Sequence, residues 1–190
     1  RGPIGLYIGS KTPAEIAVSV AGYTLLLAIM SWPLVLDLAH TGPMDRPDGR
    51  LNAWILAWAG ETLWTDPARV FEAPAFHPLP DALAFSENLL LPAALVAPLQ
   101  KLGGPVLAYN VALLGSLLLS GLAAQLLVRR VSGDRLAAFV AGACFAAGPH
   151  RWVRLSHLHA QVTVFLPLAL LALDRFWERR TLRRALVVGL

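Results

Sequence analysis

The sequence predicts an all-α fold: a polytopic transmembrane helical bundle with an external loop carrying juxtamembrane amphipathic helices. Three observations predict it. Of the 190 residues 56% are hydrophobic and only 15% charged, against roughly 45–50% and about 25% in soluble domains. The apolar residues gather in runs approaching the ~20 needed to cross ~30 Å of hydrocarbon. The arginines collect at the ends of those runs, where membrane topology places them.

Taken in order, the expected spans are residues 16–38, 106–128, 136–149 and 160–174, with another starting at 182. The chain begins at Arg1 and stops as that last apolar segment opens, so the expectation is the N-terminal part of one transmembrane domain of a longer protein. Arg129, Arg130 and Arg135 cluster after the second span, and Arg175, Arg179, Arg180, Arg183 and Arg184 after the fourth. Short loops rich in arginine face the cytoplasm. The third and fourth spans then form a hairpin with residues 149–161 outside, and residues 40–105 make an external loop.

Within that loop Leu51, Trp54, Ile55 and Trp58 recur at i, i+3, i+4 and i+7, with Asn52 and Glu61 turned elsewhere. This spacing predicts an amphipathic helix over residues 50–64, entered through a Pro47-Asp48-Gly49 turn, its tryptophans in the headgroup layer. The apolar stretch Leu89 to Leu102 is short and interrupted by Pro92 and Pro98, which predicts an interfacial or re-entrant helix. No internal repeat or low-complexity linker divides the chain.

Composition also excludes function classes. A single Cys144 excludes an intramolecular disulfide or a cysteine metal cage. The formal charge of +4 does not indicate nucleic acid, because the arginines sit at span ends rather than on one basic face. The external loop is net acidic between Pro43 and Glu87, with Asp45, Asp48, Glu61, Asp66, Glu72, Asp81 and Glu87 against Arg46, Arg50 and Arg69. A carboxylate at a membrane surface can act as general base on a hydroxyl or hold a divalent cation, and Asp45 and Asp48, three apart, suit either role. Asp48 equally suits the N-cap of a helix starting near Arg50, and Ser86-Glu87 the cap and first turn of the helix that follows. In GPHRWVRLSHLHAQ, residues 148–161, a continuous helix would align His150, Arg154, His157 and Gln161 in one stripe, with His159 pointing away. Such a row of donors suits an anionic headgroup such as a phosphate or diphosphate.

DGRLNAWILAWAGETLWTDPARVFEAPAFHPLPDALAFSENLLLPAALVAPL, followed by NVALLGSLLLSGLAAQLLVRRVSGDRLAAFVAGACFAAGPHRWVRLSHLHAQVTVFLPLALLAL, resembles the N-terminal part of bacterial C-type integral-membrane glycosyltransferases over roughly residues 30 to 180. The resemblance implies transfer of a sugar from a polyprenyl-phosphate donor, at the outer face of a multi-pass protein of the bacterial inner membrane. It implies Asp48 as catalytic base, with Asp45 in reserve, and Glu87 as a second acid assisting with acceptor or metal. Arg154 and His157, with Gln161 on the same stripe, would bind the substrate phosphate. No adjacent Asp-Glu pair occurs in the loop, so no cofactor follows from it, though a divalent metal is compatible with the acids. The expected partners are the lipid-linked sugar and membrane lipids, not nucleic acid. The rival readings are a flippase or transporter of lipid-linked substrates and a non-catalytic membrane subunit.

Overall fold

The computed structural model describes residues 13–43 and 47–189, and among them regular structure is entirely helical. Helix α1 (Pro13–Met30) ends eight residues before the expected limit of 38. Pro33 explains the stop, because the residue before a proline is pushed out of the α region, and a 3-10 turn at Leu34–Leu36 takes over. Helix α2 (Pro47–Thr65) starts at Pro47, so Pro47-Asp48-Gly49 is its first turn rather than a turn before it. Proline suits that position, since the missing N–H would have no intrahelical partner. Two 3-10 turns follow, Pro67–Arg69 and Ala82–Phe85.

Helix α3 (Leu90–Ser132) is broken at Gly103 and Gly104. The break separates the stretch Leu89 to Leu102 from the segment expected to cross at 106–128. Gly104 has φ +82°, which only glycine adopts freely, and Pro105 restarts the helix with φ already set. Helix α4 (Arg135–Ala147) is capped by Asp134, whose carboxylate accepts from the Ala137 amide at 2.6 Å. After it come α5 (Pro149–Val153), α6 (Leu158–Gln161), α7 (Phe165–Glu178) and α8 (Leu182–Gly189).

Three stretches are long and apolar enough to cross a membrane: Pro13–Met30, Leu90–Ser132 and Leu158–Glu178. The 13 residues of α4 reach only ~20 Å at 1.5 Å each, short of the ~30 Å required. Gly148 is extended at ψ 142° ahead of Pro149, and that ends the helix. Helix α4 is thus not among the helices long enough by themselves to cross.

The chain divides into two compact units. One contains α1, the part of α3 from Ser116, α4, α5 up to Trp152, α7 and α8. There Tyr23 of α1 stacks on Phe139 of α4 at 5.0 Å and its hydroxyl donates to the Phe139 carbonyl at 2.9 Å. Gln125 donates to the Ser19 hydroxyl at 2.9 Å. Arg130 pairs with Asp174 at 2.7 Å and with Glu178, joining α3 to α7.

The other unit contains residues 31–115 and 153–161. Its core includes Ile55, Leu56, Ala59, Leu89, Ala93, Tyr109, Leu113 and Leu158. The face that α2 buries is Asn52, Ile55, Leu56 and Ala59, with Gly49, Ala53, Gly60 and Thr62. Of the expected apolar stripe only Ile55 is fully buried; Trp58 is half-buried and Leu51 and Trp54 are exposed. Asn52, off that stripe, is buried. Packing is close here, since a Cβ on Gly60 would stand 3.0 Å from Gln100 Oε1 and in van der Waals contact with Ala93 and Ala97.

Asn110 of α3, fully buried, donates to the carbonyls of Leu38 at 2.9 Å and Thr41 at 2.6 Å. It thereby holds the turns after α1 against α3. Asn110→Ala removes both bonds and is expected to lower unfolding free energy by about 2 kcal/mol, against under ~0.5 kcal/mol for Asn88→Ala on an exposed loop position. Denaturant unfolding in detergent micelles measures the difference, and equal losses would mean that the two bonds hold nothing together.

Candidate functional site

Asp48 lies in the first turn of α2, inside the helix rather than at its N-cap. The helix places its side chain outward, half exposed at 52%, where it meets His157: Nε2 lies 3.2 Å from Oδ2. A carboxylate can only accept, so Nε2 carries the hydrogen and the imidazole donates. One helical turn on, Asn52 uses both ends of its amide. Its Nδ2 donates to the Asp48 carbonyl at 2.8 Å, and its Oδ1 lies 3.3 Å from Nδ1 of His159. The two imidazoles meet edge to face with centroids 5.8 Å apart.

The segment that brings the histidines here is not one helix. Between α5 and α6 the residues Arg154, Leu155 and Ser156 form a turn, so the expected stripe of His150, Arg154, His157 and Gln161 does not exist. The Tyr109 hydroxyl fixes the turn from below by donating to the Ser156 carbonyl at 2.9 Å. Gln161 is buried and donates from Nε2 to the Arg154 carbonyl at 2.8 Å, which braces the turn. Arg154 is exposed on the turn, and His150 lies in α5, on residues of the other unit. His159, expected to point away, instead faces α2. The broken helix re-phases every residue after Val153.

Glu87 lies between the 3-10 turn and α3 rather than in the first turn of α3, and Ser86 closes the 3-10 turn as its C-cap. The Glu87 carboxyl is held below the usual carboxylate range, first by its own backbone amide and then by the Ser86 hydroxyl, which donates at 3.0 Å. The charges of His159 and His157 add to the effect when those rings are protonated. A carboxyl whose pKa is depressed by folding stabilises the fold above the ordinary value of 4.5, and that stability is lost as pH falls through the folded value. The thermal midpoint is expected to fall as pH drops below about 4.5, and less steeply in Glu87→Gln. Identical slopes for the two proteins would contradict this.

Asp45 lies outside the described residues. Among the described residues no group of three His, Cys, Asp or Glu side chains is arranged to hold a metal ion. Ser156 Oγ lies 3.4 Å from Nδ1 of His157, completing an Asp-His-Ser series, but Ser156 is 4% exposed and no acyl group could reach it. The arrangement can therefore do one chemical task well: present an oriented, solvent-reached carboxylate backed by an imidazole donor, with a second carboxylate held ionised nearby.

Two buried polar residues, one in each unit, escaped the sequence reading. Asn52 was legible as the i+4 partner of Asp48, had the face of α2 been phased on its small residues. Arg151, in the other unit, is 3% exposed, donates to Thr163 and lies 4.8 Å from the Phe145 ring centroid; burial lowers its pKa. Comparison with protein-family models, curated proteins and solved structures finds no match.

Proposed function

We propose that the protein is a multi-pass glycosyltransferase of the bacterial inner membrane, of the C type. It moves a sugar from a polyprenyl-phosphate donor to an acceptor hydroxyl at the outer face. The observation that carries this reading is the Asp48–His157 pair, 3.2 Å apart, on a helix that follows the first apolar stretch. His157 occupies Oδ2 of the carboxylate and so aims Oδ1 at whatever approaches α2 from solvent.

In the proposed reaction Oδ1 of Asp48 takes the acceptor's hydroxyl proton as the acceptor oxygen attacks the anomeric carbon. The bond from that carbon to the donor phosphate breaks, its electron pair leaving on the phosphate, and the single displacement inverts the anomeric centre. Arg154, exposed on the turn before His157, supplies positive charge for the departing phosphate. Glu87, held below the usual carboxylate range, keeps its negative charge beside the two histidines.

The test is transfer of labelled sugar from polyprenyl-phosphate donors in membranes carrying the protein, against membranes lacking it and against Asp48→Asn. Transfer that requires both the protein and Asp48 supports the reading. Transfer absent from wild type, with the donor and a range of acceptor alcohols supplied, overturns it in favour of a flippase or a non-catalytic subunit.

A further inference from the structure

Asn52 is a buried amide on the packing face of α2, among Ala53, Ile55 and Leu56. An amide there costs free energy unless its ends are bonded, and both are. The Asp48 carbonyl can only accept, so the end that faces it, 2.8 Å away, is the Nδ2 group. That fixes the other end. Oδ1 is an acceptor, so the His159 Nδ1 that lies 3.3 Å from it carries a hydrogen. A neutral imidazole holds one hydrogen, which leaves the lone pair of His159 on Nε2.

His157 is set the opposite way. Its Nε2 donates to the Asp48 carboxylate at 3.2 Å, so its lone pair lies on Nδ1, the nitrogen 3.4 Å from the buried Ser156 hydroxyl. Two rings in edge-to-face contact therefore carry their hydrogens on different nitrogens. His157 keeps its lone pair against the turn. His159 does not: the residue is exposed, and among the described residues no hydrogen bond or ion pair reaches its Nε2.

We propose that Asn52 is a positioning residue that locks His159 as the Nδ1–H tautomer, so that Nε2 accepts a hydroxyl hydrogen from the group bound beside Asp48. The class of ligand follows from the two open atoms. Asp48 and Asn52 lie one turn apart, ~6 Å along α2, and both Asp48 Oδ1 and His159 Nε2 take a hydrogen and give none. A ligand that meets both brings two hydroxyls on one compact group, as a saccharide does and a simple alcohol does not. The proposal deepens the glycosyltransferase reading and rests on it only for calling this saccharide the acceptor.

The experiment uses the whole protein in phospholipid nanodiscs, its histidines labelled with the heavy nitrogen isotope, at a pH well above the range in which imidazoles titrate. The chain has five histidines, and His157→Gln and His159→Gln identify the two signals that matter. Correlations from ring nitrogens to carbon-bound ring protons report each tautomer. Expected are Nε2–H for His157 and Nδ1–H for His159. Asn52→Ala should shift His159 toward the other tautomer while His157 keeps its own, and Asn52→Asp, which still offers an acceptor, should preserve both. An alkyl glycoside, whose head group carries several hydroxyls, should move the His159 Nε2 signal; an alkyl phosphocholine, which carries none, should not. In sugar transfer, His159→Phe should raise the acceptor KM about tenfold, the contribution of one hydrogen bond, with kcat nearly unchanged, the reverse of Asp48→Asn.

Nε2–H on His159 in the wild type overturns the proposal, as does an Nε2 signal that ignores the glycoside. So does Asn52→Ala if it changes neither ring or both together, since a packing role would disturb the rings alike. Tautomers and the glycoside response are read without catalysis, so a protein that shows both and transfers no sugar counts against the proposed function alone.

Discussion

Asp48→Asn is expected to reduce sugar transfer by about 10²–10⁴-fold, the usual worth of a general base, while leaving the protein folded. The fold should survive because Asp48 is half exposed and the asparagine amide oxygen can still accept from His157 Nε2, 3.2 Å from the native carboxylate. What the substitution removes is the basicity of the second oxygen. The effect should fall on kcat with little change in KM, since proton transfer occurs only in the transition state. His157→Gln should show a smaller loss, because it misaims the carboxylate without removing it. A further check is Ser156→Ala, which should leave transfer unchanged, since the buried hydroxyl touches only the far side of the ring. Equal transfer by wild type and Asp48→Asn would reduce Asp48 to an anchor for the 156–159 segment.

How much of this could be read from the chain varies residue by residue. Asp48, Glu87 and His157 stood out because charge is scarce in this sequence, so each ionisable group in the loop asked for a role. The pairing of Asp48 with His157 was out of reach, since the two lie far apart in the chain and meet only through packing around Tyr109 and Leu158. His159 was misplaced because the stretch 148–161 was phased as one helix. A turn at 154–156 shifts every later side chain, and nothing local in Arg154-Leu155-Ser156 announces it. On α2 the periodicity marked the tryptophan face, expected in the headgroup layer, and left the packing face unread, because that face includes the small or polar Asn52, Ala53, Ala59 and Gly60. At Gly148-Pro149 the backbone geometry ends α4, a stop that hydropathy alone does not mark. Small residues carry the packing throughout, and hydropathy does not register them.

The clearest case is Gly142, and Gly142→Val is expected to cost more than ~3 kcal/mol, beyond the usual range for overpacking. A Cβ at Gly142 would collide with the Tyr23 hydroxyl and stand 2.7 Å from the Gly121 carbonyl oxygen. A Cβ at Gly121 would lie 2.8 Å from that of Ala146 and 2.9 Å from the Gly142 carbonyl oxygen. The two glycines thus let α3 and α4 touch backbone to backbone, with Tyr23 of α1 laid across them. A backbone oxygen cannot rotate away as a side chain can, so the helices must separate. Helices in lipid associate through van der Waals packing rather than through the hydrophobic effect, so separation loses the interaction that joins them. The Tyr23 bond to the Phe139 carbonyl would be lost as well, though Tyr23→Phe alone should cost only about 1 kcal/mol. Gly115→Ala supplies the opposite control: nothing lies within 4 Å of its added Cβ, and an interior helical alanine should be neutral or stabilising by about 0.5–1 kcal/mol. Titration with sodium dodecyl sulfate in mixed micelles reads all three. Unfolding of Gly142→Val at the wild-type midpoint would mean that the three helices do not meet at these glycines.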